Sequence, residues 1–276
     1  MSAASMSDED LSGLIQRAQR GERSALEALI AQMAPAIRRF GLRMCKNDAD
    51  ADDVLQETLV QLVEALPSFE ARSSLATWVF TLTRTACSRR RRGLKNQSHD
   101  SDELLKDRAD MHATPEMQTA SKQLAQALSK ALDALSEEYR EVLQLRDIEG
   151  LSAPEAAQVV GISVDALKSR LHRARESLRA ELKPVLEPHV PRIETNCPDI
   201  VALWHHKLEG DLTQTDCAAM ERHMEHCSSC KVACDALRQA LVACQAVRSE
   251  VVPLNVHRRI QEALSASVAA NLHASS

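Results

Sequence analysis

The sequence predicts an all-α protein made of three small helical domains joined by flexible linkers. Only six of its 276 residues are aromatic and seven are glycine, so a β-sandwich, a barrel or a doubly wound sheet would lack strand and turn residues. Apolar residues recur at helical spacing instead. A composition of 44% hydrophobic and 26% charged residues is typical of a globular protein, and this length suits two or three domains.

The positive charge of the chain is concentrated in two segments. The net charge is −5, yet residues 71–99 carry seven basic and no acidic side chains, and residues 151–183 carry six basic and four acidic ones. Basic segments in an acidic chain indicate localised binding of phosphate groups. No apolar run could span a bilayer and the polar start is unlike a signal peptide. We therefore expect a cytoplasmic protein without a membrane partner.

The first predicted domain covers residues 7–94. Apolar spacing predicts a helix near 23–44, a second from about 49 that stops near Pro67, and a third from about 74 into the arginines at 89–92. The polar residues 95–115 lack apolar periodicity and are predicted to be a linker.

Three aromatic residues, Phe69, Trp78 and Phe80, lie in or beside the first basic segment. Aromatic rings among cations suit the binding of single-stranded DNA. Trp78 and Leu82 are also one helical turn apart, and the alternative is that they belong to a helix core.

The second predicted domain covers residues 116–183 and contains a helix-turn-helix. A break at Gly150 precedes Ser152 and Glu155, which have the spacing of a capping box. A short helix to Val160, a turn at Gly161 and a long helix follow. The apolar face of the long helix comprises Val164, Leu167, Leu171, Ala174 and Leu178. Residues 184–196 contain three prolines and form the second predicted linker.

The second helix of such a motif enters the major groove of DNA. Opposite the apolar face, we expect Ser169, His172 and Arg173 to contact bases, with Lys168 and Arg170 positioning the helix on phosphates. The same polar face includes Asp165 and Glu176, and positive charge beyond it comes from Arg175, Arg179 and Lys183. The alternative is an amphipathic basic helix whose polar face is only solvated.

The third predicted domain, residues 197–276, is rich in cysteine and histidine. The spacing C-x25-H-x3-C-x2-C predicts a metal site made of Cys197, His223, Cys227 and Cys230. Three thiolates and one imidazole favour structural Zn²⁺, although another thiophilic metal also suits them. A catalytic zinc would need an open coordination position, which four protein ligands do not leave. Further ligand or redox candidates are Cys217, His226, Cys234 and His206.

Two stretches resemble bacterial sigma factors of the extracytoplasmic-function type, within the sigma-70 family. The stretch LSEEYREVLQLRDIEGLSAPEAAQVVGISVDALKSRLHRARESLRAEL is similar to their region four, and VDALKSRLHRARESL to the helix that recognises the promoter −35 element. The stretch DADDVLQETLVQLVEALPSFEARSSLATWVFTLTRTACSRRRR resembles region two, in which an acidic helix binds RNA polymerase and the following segment reads and melts the −10 element.

This resemblance implies roles for residues of the first domain. Contacts with the β′ clamp helices of core RNA polymerase fall on Asp52, Asp53, Gln56 and Glu57. Contacts with the −10 element fall on Phe69, Arg72, Ser73, Ser74, Thr77, Arg84, Arg89 and Arg90. Carboxylates at a helix start also suit the helix dipole, so a solvated helix end is the alternative for the acidic group.

The tail resembles the zinc-associated anti-sigma domain, and the whole arrangement resembles the CorE-like sigma factors, which carry metal-responsive cysteine-rich tails. The resemblance implies a transcription initiation factor, not an enzyme, whose partners are core RNA polymerase and promoter DNA. We expect the tail to contact the sigma regions within the chain and control them, in response to metal or thiol oxidation. The alternative is a helix-turn-helix repressor or activator with a zinc-stabilised dimerisation tail.

Overall fold

The computed structural model describes residues 8–45, 47–95, 118–186, 197–246 and Arg258. No strand occurs among these residues, in agreement with the predicted all-α class. The described helices fall into two compact units, one up to residue 95 and one from 118 to 246. The predicted linkers at 95–115 and 184–196 lie mostly outside the described residues. The predicted domain boundaries stay predictions.

Up to residue 95, the described part of the first unit contains four helices: α1 Asp8–Gln19, α2 Arg23–Met44, α3 Asp48–Ala65 and α4 Leu75–Lys95, with a 3-10 turn at Leu66–Ser68. Helix α3 begins where the Asn47 side chain accepts a hydrogen bond from the Asp50 amide at 2.7 Å. Leucine, isoleucine and valine side chains of these helices form one core, against which the half-buried Trp78 packs. The core alternative for Trp78 is therefore supported.

The second unit contains seven helices. Their bounds are α5 Gln118–Ala134, α6 Glu137–Leu143, α7 Ala153–Val160, α8 Val164–Leu186, α9 Ile200–Leu208, α10 Gln214–His226 and α11 Ser228–Ala246. A π-helical turn, Gln144–Ile148, continues from α6 and was not predicted from the sequence. Helix α11 packs against α5, α8 and this turn, so the cysteine-rich segment and the helix-turn-helix belong to one compact unit.

Local sequence signals account for the helix-turn-helix. The Ser152 side chain and the Glu155 side chain each bond the other's backbone amide, which forms the predicted capping box. Helix α7 ends at Gly161, whose φ of 77° is the left-handed conformation that glycine adopts at low cost. On α8, Leu167, Leu171 and Ala174 are fully buried, as the apolar periodicity predicted.

On α11, the apolar positions Cys234, Leu237 and Cys244 are likewise buried. No helix of the described residues is long and apolar enough to cross a membrane.

Candidate functional site

The predicted metal ligands come together between α9, α10 and α11. Cys197 precedes α9, His223 lies in the last turn of α10, and Cys227 and Cys230 flank the start of α11. Their ligand atoms all lie within 4.8 Å of one another. The Cys197 and Cys227 sulfurs are 3.6 Å apart, and His223 Nε2 lies 3.3 Å from the Cys230 sulfur.

These separations fit a tetrahedral zinc ion. With Zn–S bonds of about 2.3 Å, the edge of the tetrahedron between two sulfurs is about 3.8 Å. The two short separations are close to this edge and the remaining ones stay within 4.8 Å, so small shifts would allow the four atoms to bind one ion, and three thiols with one imidazole match the ligand preference of zinc.

The thiols of the cluster differ in acidity. Hydrogen bonding from the Cys230 amide is the main cause that lowers the pKa of Cys227. Burial, followed by the neighbouring sulfurs, raises the pKa of Cys230 to about 12. Thiolates crowded in this way repel one another, so a shared cation stabilises the deprotonated set.

The four further candidate ligands lie elsewhere. Among the described residues, the group that could hold a metal contains none of Cys217, His226, Cys234 and His206. His226 Nδ1 lies 2.9 Å from the Arg222 carbonyl oxygen, and His206 is exposed. Burial raises the pKa of Cys234 to about 11, which suits a core thiol better than a redox one. The role of these four residues as further metal ligands or redox groups stays a prediction.

The predicted −35 residues occupy one exposed face of α8 and the two flanks beside it. Asp165, Ser169 and Arg173 are exposed, whereas Lys168, Arg170 and His172 are half-buried. Each of these three half-buried side chains lies close to an acidic group. Arg170 Nη2 lies 3.4 Å from Glu138 Oε2, and His172 Nδ1 lies 3.6 Å from Glu176 Oε2. Lys168 Nζ contacts Asp211 Oδ1, between α9 and α10, at 2.5 Å.

Arg175 was expected to add positive charge beyond the DNA face, and the structure corrects this expectation. Its side chain is only 7% exposed, and its guanidinium makes a two-pronged pair with Asp147 of the π-helical turn at 2.6 and 2.9 Å. Arg175 Nη2 also lies 2.9 Å from Glu209 Oε1, at the end of α9. A buried guanidinium requires such partners because an unpaired charge is costly away from water.

Two further side chains complete this cluster. Arg146 Nε donates to Glu209 Oε2 at 3.3 Å, and Arg175 Nη1 lies 2.8 Å from His205 Nδ1. His205 is buried, whereas its neighbour His206 is exposed. Burial and then the positive charge of Arg175 lower the pKa of His205 to about 4. Sequence reasoning missed Arg146, Asp147 and Glu209, since no spacing links residues so far apart in the chain.

In the first unit, two of the arginines predicted to contact the −10 element pair with α3. Arg90 Nε lies 2.7 Å from Asp50 Oδ1 and its Nη2 lies 2.5 Å from Asp53 Oδ2. Arg89 Nη2 lies 2.5 Å from Glu57 Oε1. The basic end of α4 thus neutralises part of the acidic face of α3.

The remaining predicted −10 residues cluster around the start of α4. Phe69 stacks on Trp78 with ring centroids 4.8 Å apart. The Ser74 and Thr77 hydroxyls are 2.8 Å apart in the helix cap. Arg72 is largely exposed and pairs with Glu70, while Ser73 and Arg84 are half-buried.

The predicted polymerase contacts lie along α3. Asp53, Gln56 and Glu57 line one surface depression, together with Arg90. Asp52 instead pairs with Arg38 of α2 at 3.0 Å, where both side chains are 14% exposed.

Family comparisons match three segments of the chain. The sigma-70 region 2 model matches residues 29–97 and the sigma-70 region 4 model matches residues 125–178. A zinc-finger model matches residues 197–231, the segment that contains the Cys₃His cluster. The three matches fall in the order that the sequence resemblance predicted.

Solved structures with partial similarity include two protein complexes. CnrH in complex with the cytosolic domain of CnrY is 28% identical, with a TM-score of 0.47, covering 64% of this chain and 99% of that one. RpoE in complex with the anti-sigma factor NepR, from Bartonella quintana, is 28% identical with a TM-score of 0.47, covering 57% and 96%.

Two curated relatives are similar along nearly their whole length. The ECF RNA polymerase sigma factor SigC of Mycobacterium tuberculosis is 32% identical over 188 residues, which cover 67% of this chain and 97% of the relative. The RNA polymerase sigma factor CarQ of Myxococcus xanthus is 31% identical over 178 residues, which cover 64% and 100%. The chain therefore belongs to the extracytoplasmic-function family of RNA polymerase sigma factors, which are transcription initiation factors and not enzymes.

Proposed function

We propose that this sigma factor directs core RNA polymerase to its own set of promoters and that its metal-binding tail controls this activity in cis. The observation that carries the proposal is the Cys₃His cluster, whose four ligand atoms lie within 4.8 Å in the same compact unit as the helix-turn-helix. A regulator within the chain acts at a high effective concentration, so modest affinity is sufficient.

The division of roles follows the matched regions. Helix α8 contacts the −35 element, with Ser169, His172 and Arg173 reading bases. The segment around the start of α4 contacts the −10 element, and Asp53, Gln56 and Glu57 on α3 contact the β′ clamp helices. The exposure of Ser169 and Arg173 and the common depression lined by the three α3 residues support these assignments.

The ion that suits the cluster best is zinc. Cys197, His223, Cys227 and Cys230 would hold it, and bound zinc would tie α9 to α10 and α11 by cross-linking their ends. Four protein ligands leave no open position for a water molecule, so the metal is structural or sensory.

The helix-turn-helix repressor or activator considered above does not account for the match of residues 29–97 to sigma-70 region 2. No feature of the described residues favours that alternative.

Reconstituted transcription tests the promoter-directing role. Bacterial core RNA polymerase is incubated with fragmented genomic DNA, with or without the full chain, and the 5′ ends of the transcripts are sequenced. We expect start sites that appear only with the chain and share upstream sequence elements. Identical transcripts with and without it would contradict the proposal.

Control by the tail is tested in the same assay with metal-loaded chain, metal-stripped chain and a Cys227→Ser/Cys230→Ser variant. The matched control is Cys217→Ser, which changes a cysteine of the same tail outside the cluster. We expect output to differ between the loaded and stripped chains and to lose its metal dependence only in the double variant. Equal output under all conditions would exclude cis control by metal.

A further inference from the structure

We propose that the acidic turn between α9 and α10, residues 209–211, is a docking element that excludes duplex DNA from one basic flank of α8. This flank consists of Lys168, His172 and Arg175. This proposal rests on the role of α8 in −35 binding given above. In this proposal Glu209 and Asp211 carry out the regulation of DNA binding, which the metal ligands alone do not explain.

The first support is a buried ionic cluster that joins the tail to the helix-turn-helix. The Glu209 side chain is completely buried and lies between Arg146 and Arg175, at 3.3 and 2.9 Å. Without Glu209, Arg175 keeps its pair with Asp147, but Arg146 loses its carboxylate partner, which leaves one excess positive charge in a largely buried place. Such a charge must be hydrated or paired. The two arginines are therefore most stable when Glu209 of the docked tail, or another anion, lies between them.

The second support is the position of the covered residues on α8. Lys168, His172 and Arg175 are spaced by four and three residues, so they form one stripe along the helix. Two of them were predicted to contact DNA, and each meets the tail. Lys168 pairs with Asp211 at 2.5 Å, and the His172 ring lies edge-on to His205 with centroids 4.9 Å apart.

The third support is the chemistry of the contact. A DNA phosphate and a carboxylate both offer anionic oxygens to a lysine ammonium. Asp211 therefore occupies the position on Lys168 that a phosphate of the −35 duplex would require. A phosphate that approached Lys168 would meet the negative charge of Asp211, and the buried Arg175 is already paired with Asp147 and Glu209.

The stripe lies about a quarter turn from the exposed face that carries Ser169 and Arg173, by 100° per residue. The tail thus covers the flank that carries Lys168 and His172 and leaves two of the three proposed base-reading residues, Ser169 and Arg173, exposed. The expected result of docking is a loss of DNA affinity that depends strongly on salt, because phosphate contacts carry the electrostatic part of binding.

The test compares two full-length double variants that each remove two negative charges from the tail. Glu209→Gln/Asp211→Asn removes the docking charges. The matched control, Glu221→Gln/Asp235→Asn, removes acids whose ion pairs are exposed and lie within the tail. Binding of a short fluorescent duplex of mixed sequence is measured by anisotropy over a range of salt concentrations.

We expect the docking variant to bind the duplex about tenfold more tightly than the control, a common size for coupling between two sites. The slope of log affinity against log salt concentration should be steeper by about one for the docking variant, because Lys168 regains one phosphate contact. Equal affinity and equal salt dependence in the two variants would overturn the proposal.

A second measurement uses the unmodified chain and does not depend on how the variants fold. Hydrogen exchange of the amides in residues 200–211 is followed with and without saturating duplex. If tail and DNA compete for α8, DNA should increase exchange in this segment, and unchanged exchange with DNA bound would overturn the proposal. Promoter-specific transcription with core polymerase is scored separately, so loss of the proposed function is distinguished from loss of this contact.

Discussion

Arg175 and Glu209, from the recognition helix and the tail, form an ion pair in which the side chains are 7% and 0% exposed and Nη2 lies 2.9 Å from Oε1. The pair is buried in the second unit and shares its charges with Asp147 and Arg146. The stability of this unit should therefore depend on Glu209 much more than on any surface acid of the tail.

Glu209→Gln is expected to lower the free energy of unfolding by about 3 kcal/mol, because Asp147 alone then balances the two positive charges of Arg146 and Arg175 in a largely buried cluster. Denaturant titration followed by circular dichroism measures the change. The control Glu221→Gln removes an exposed pair with Lys207 and should cost less than about 1 kcal/mol. Equal effects of the two substitutions would mean that the cluster is not stabilising.

Metal content provides the next prediction. Purified full-length protein should contain zinc in equal proportion to the chain, and Cys227→Ser and Cys230→Ser should each lose it, since both sulfurs belong to the cluster. Atomic absorption on the dialysed proteins measures the ratio. Cys217→Ser should keep its zinc, and full zinc content in both cluster variants would rule out this site.

Removing the metal should also destabilise the tail, because a ligand that binds only the folded state adds to its stability. A chelator is expected to lower the melting temperature of the native chain, and added zinc to restore it. The same treatment should leave the Cys227→Ser/Cys230→Ser protein unchanged. A chelator effect of equal size in both proteins would place the relevant metal elsewhere.

A pH dependence follows from His205. Burial and then the positive charge of Arg175 lower its pKa to about 4, His172 and His206 lower it further, and the Glu209 carboxylate opposes them by a smaller amount. The unfolded chain therefore binds this proton first, at the ordinary histidine pKa of about 6.5. The stability that neutral His205 contributes is complete above that value and is lost as the pH falls toward 4.

Denaturation of the native chain and of His205→Gln at a series of pH values isolates this effect. We expect the difference in unfolding free energy between the two proteins to shrink as the pH falls from about 7 to about 4. His226→Gln, which changes an exposed histidine, is the control and should show a constant difference. A constant difference for His205→Gln as well would refute the assignment.

The first unit offers a prediction for Arg90. The Asp50 side chain is 7% exposed and pairs with Arg90 at 2.7 Å. Arg90→Gln should therefore cost about 2 kcal/mol, since hydrogen bonds to charged groups contribute about 1.5–3 kcal/mol. Thermal unfolding measures the change, and Arg92→Gln on the exposed side of α4 is the control. A loss no larger than in the control would show that Arg90 is free to act elsewhere.

Local patterns predicted most of the helices. Apolar spacing placed α2, α3 and α4 to within a few residues, and Ser152 with Glu155 marked the start of α7. These signals depend on neighbours within one or two turns. The spacing of His223, Cys227 and Cys230 worked for the same reason, because a helix end and a tight turn determine where three of the four ligands point.

The ionic cluster could not be predicted in this way. Asp147, Arg175 and Glu209 lie on the π-helical turn, on α8 and at the end of α9. The contacts among them therefore depend on how these elements pack and not on the spacing of residues in the sequence. The π-helical turn was missed because a single inserted residue does not alter the apolar pattern enough to be recognised. Arg175 was predicted to be a surface charge because amphipathic periodicity identifies the polar face of a helix but does not show whether that face meets water or other polar side chains.

The helix-turn-helix and the cysteine-rich tail share one chain and one compact unit. Association between them is thus a first-order process, and its equilibrium constant has no concentration term. Diluting the protein does not release the tail, and making more of it does not saturate a limited pool of inhibitor, as it would with a separate regulatory protein. Under the proposed cis control, the fraction of active molecules therefore depends on the signal and not on the number of copies.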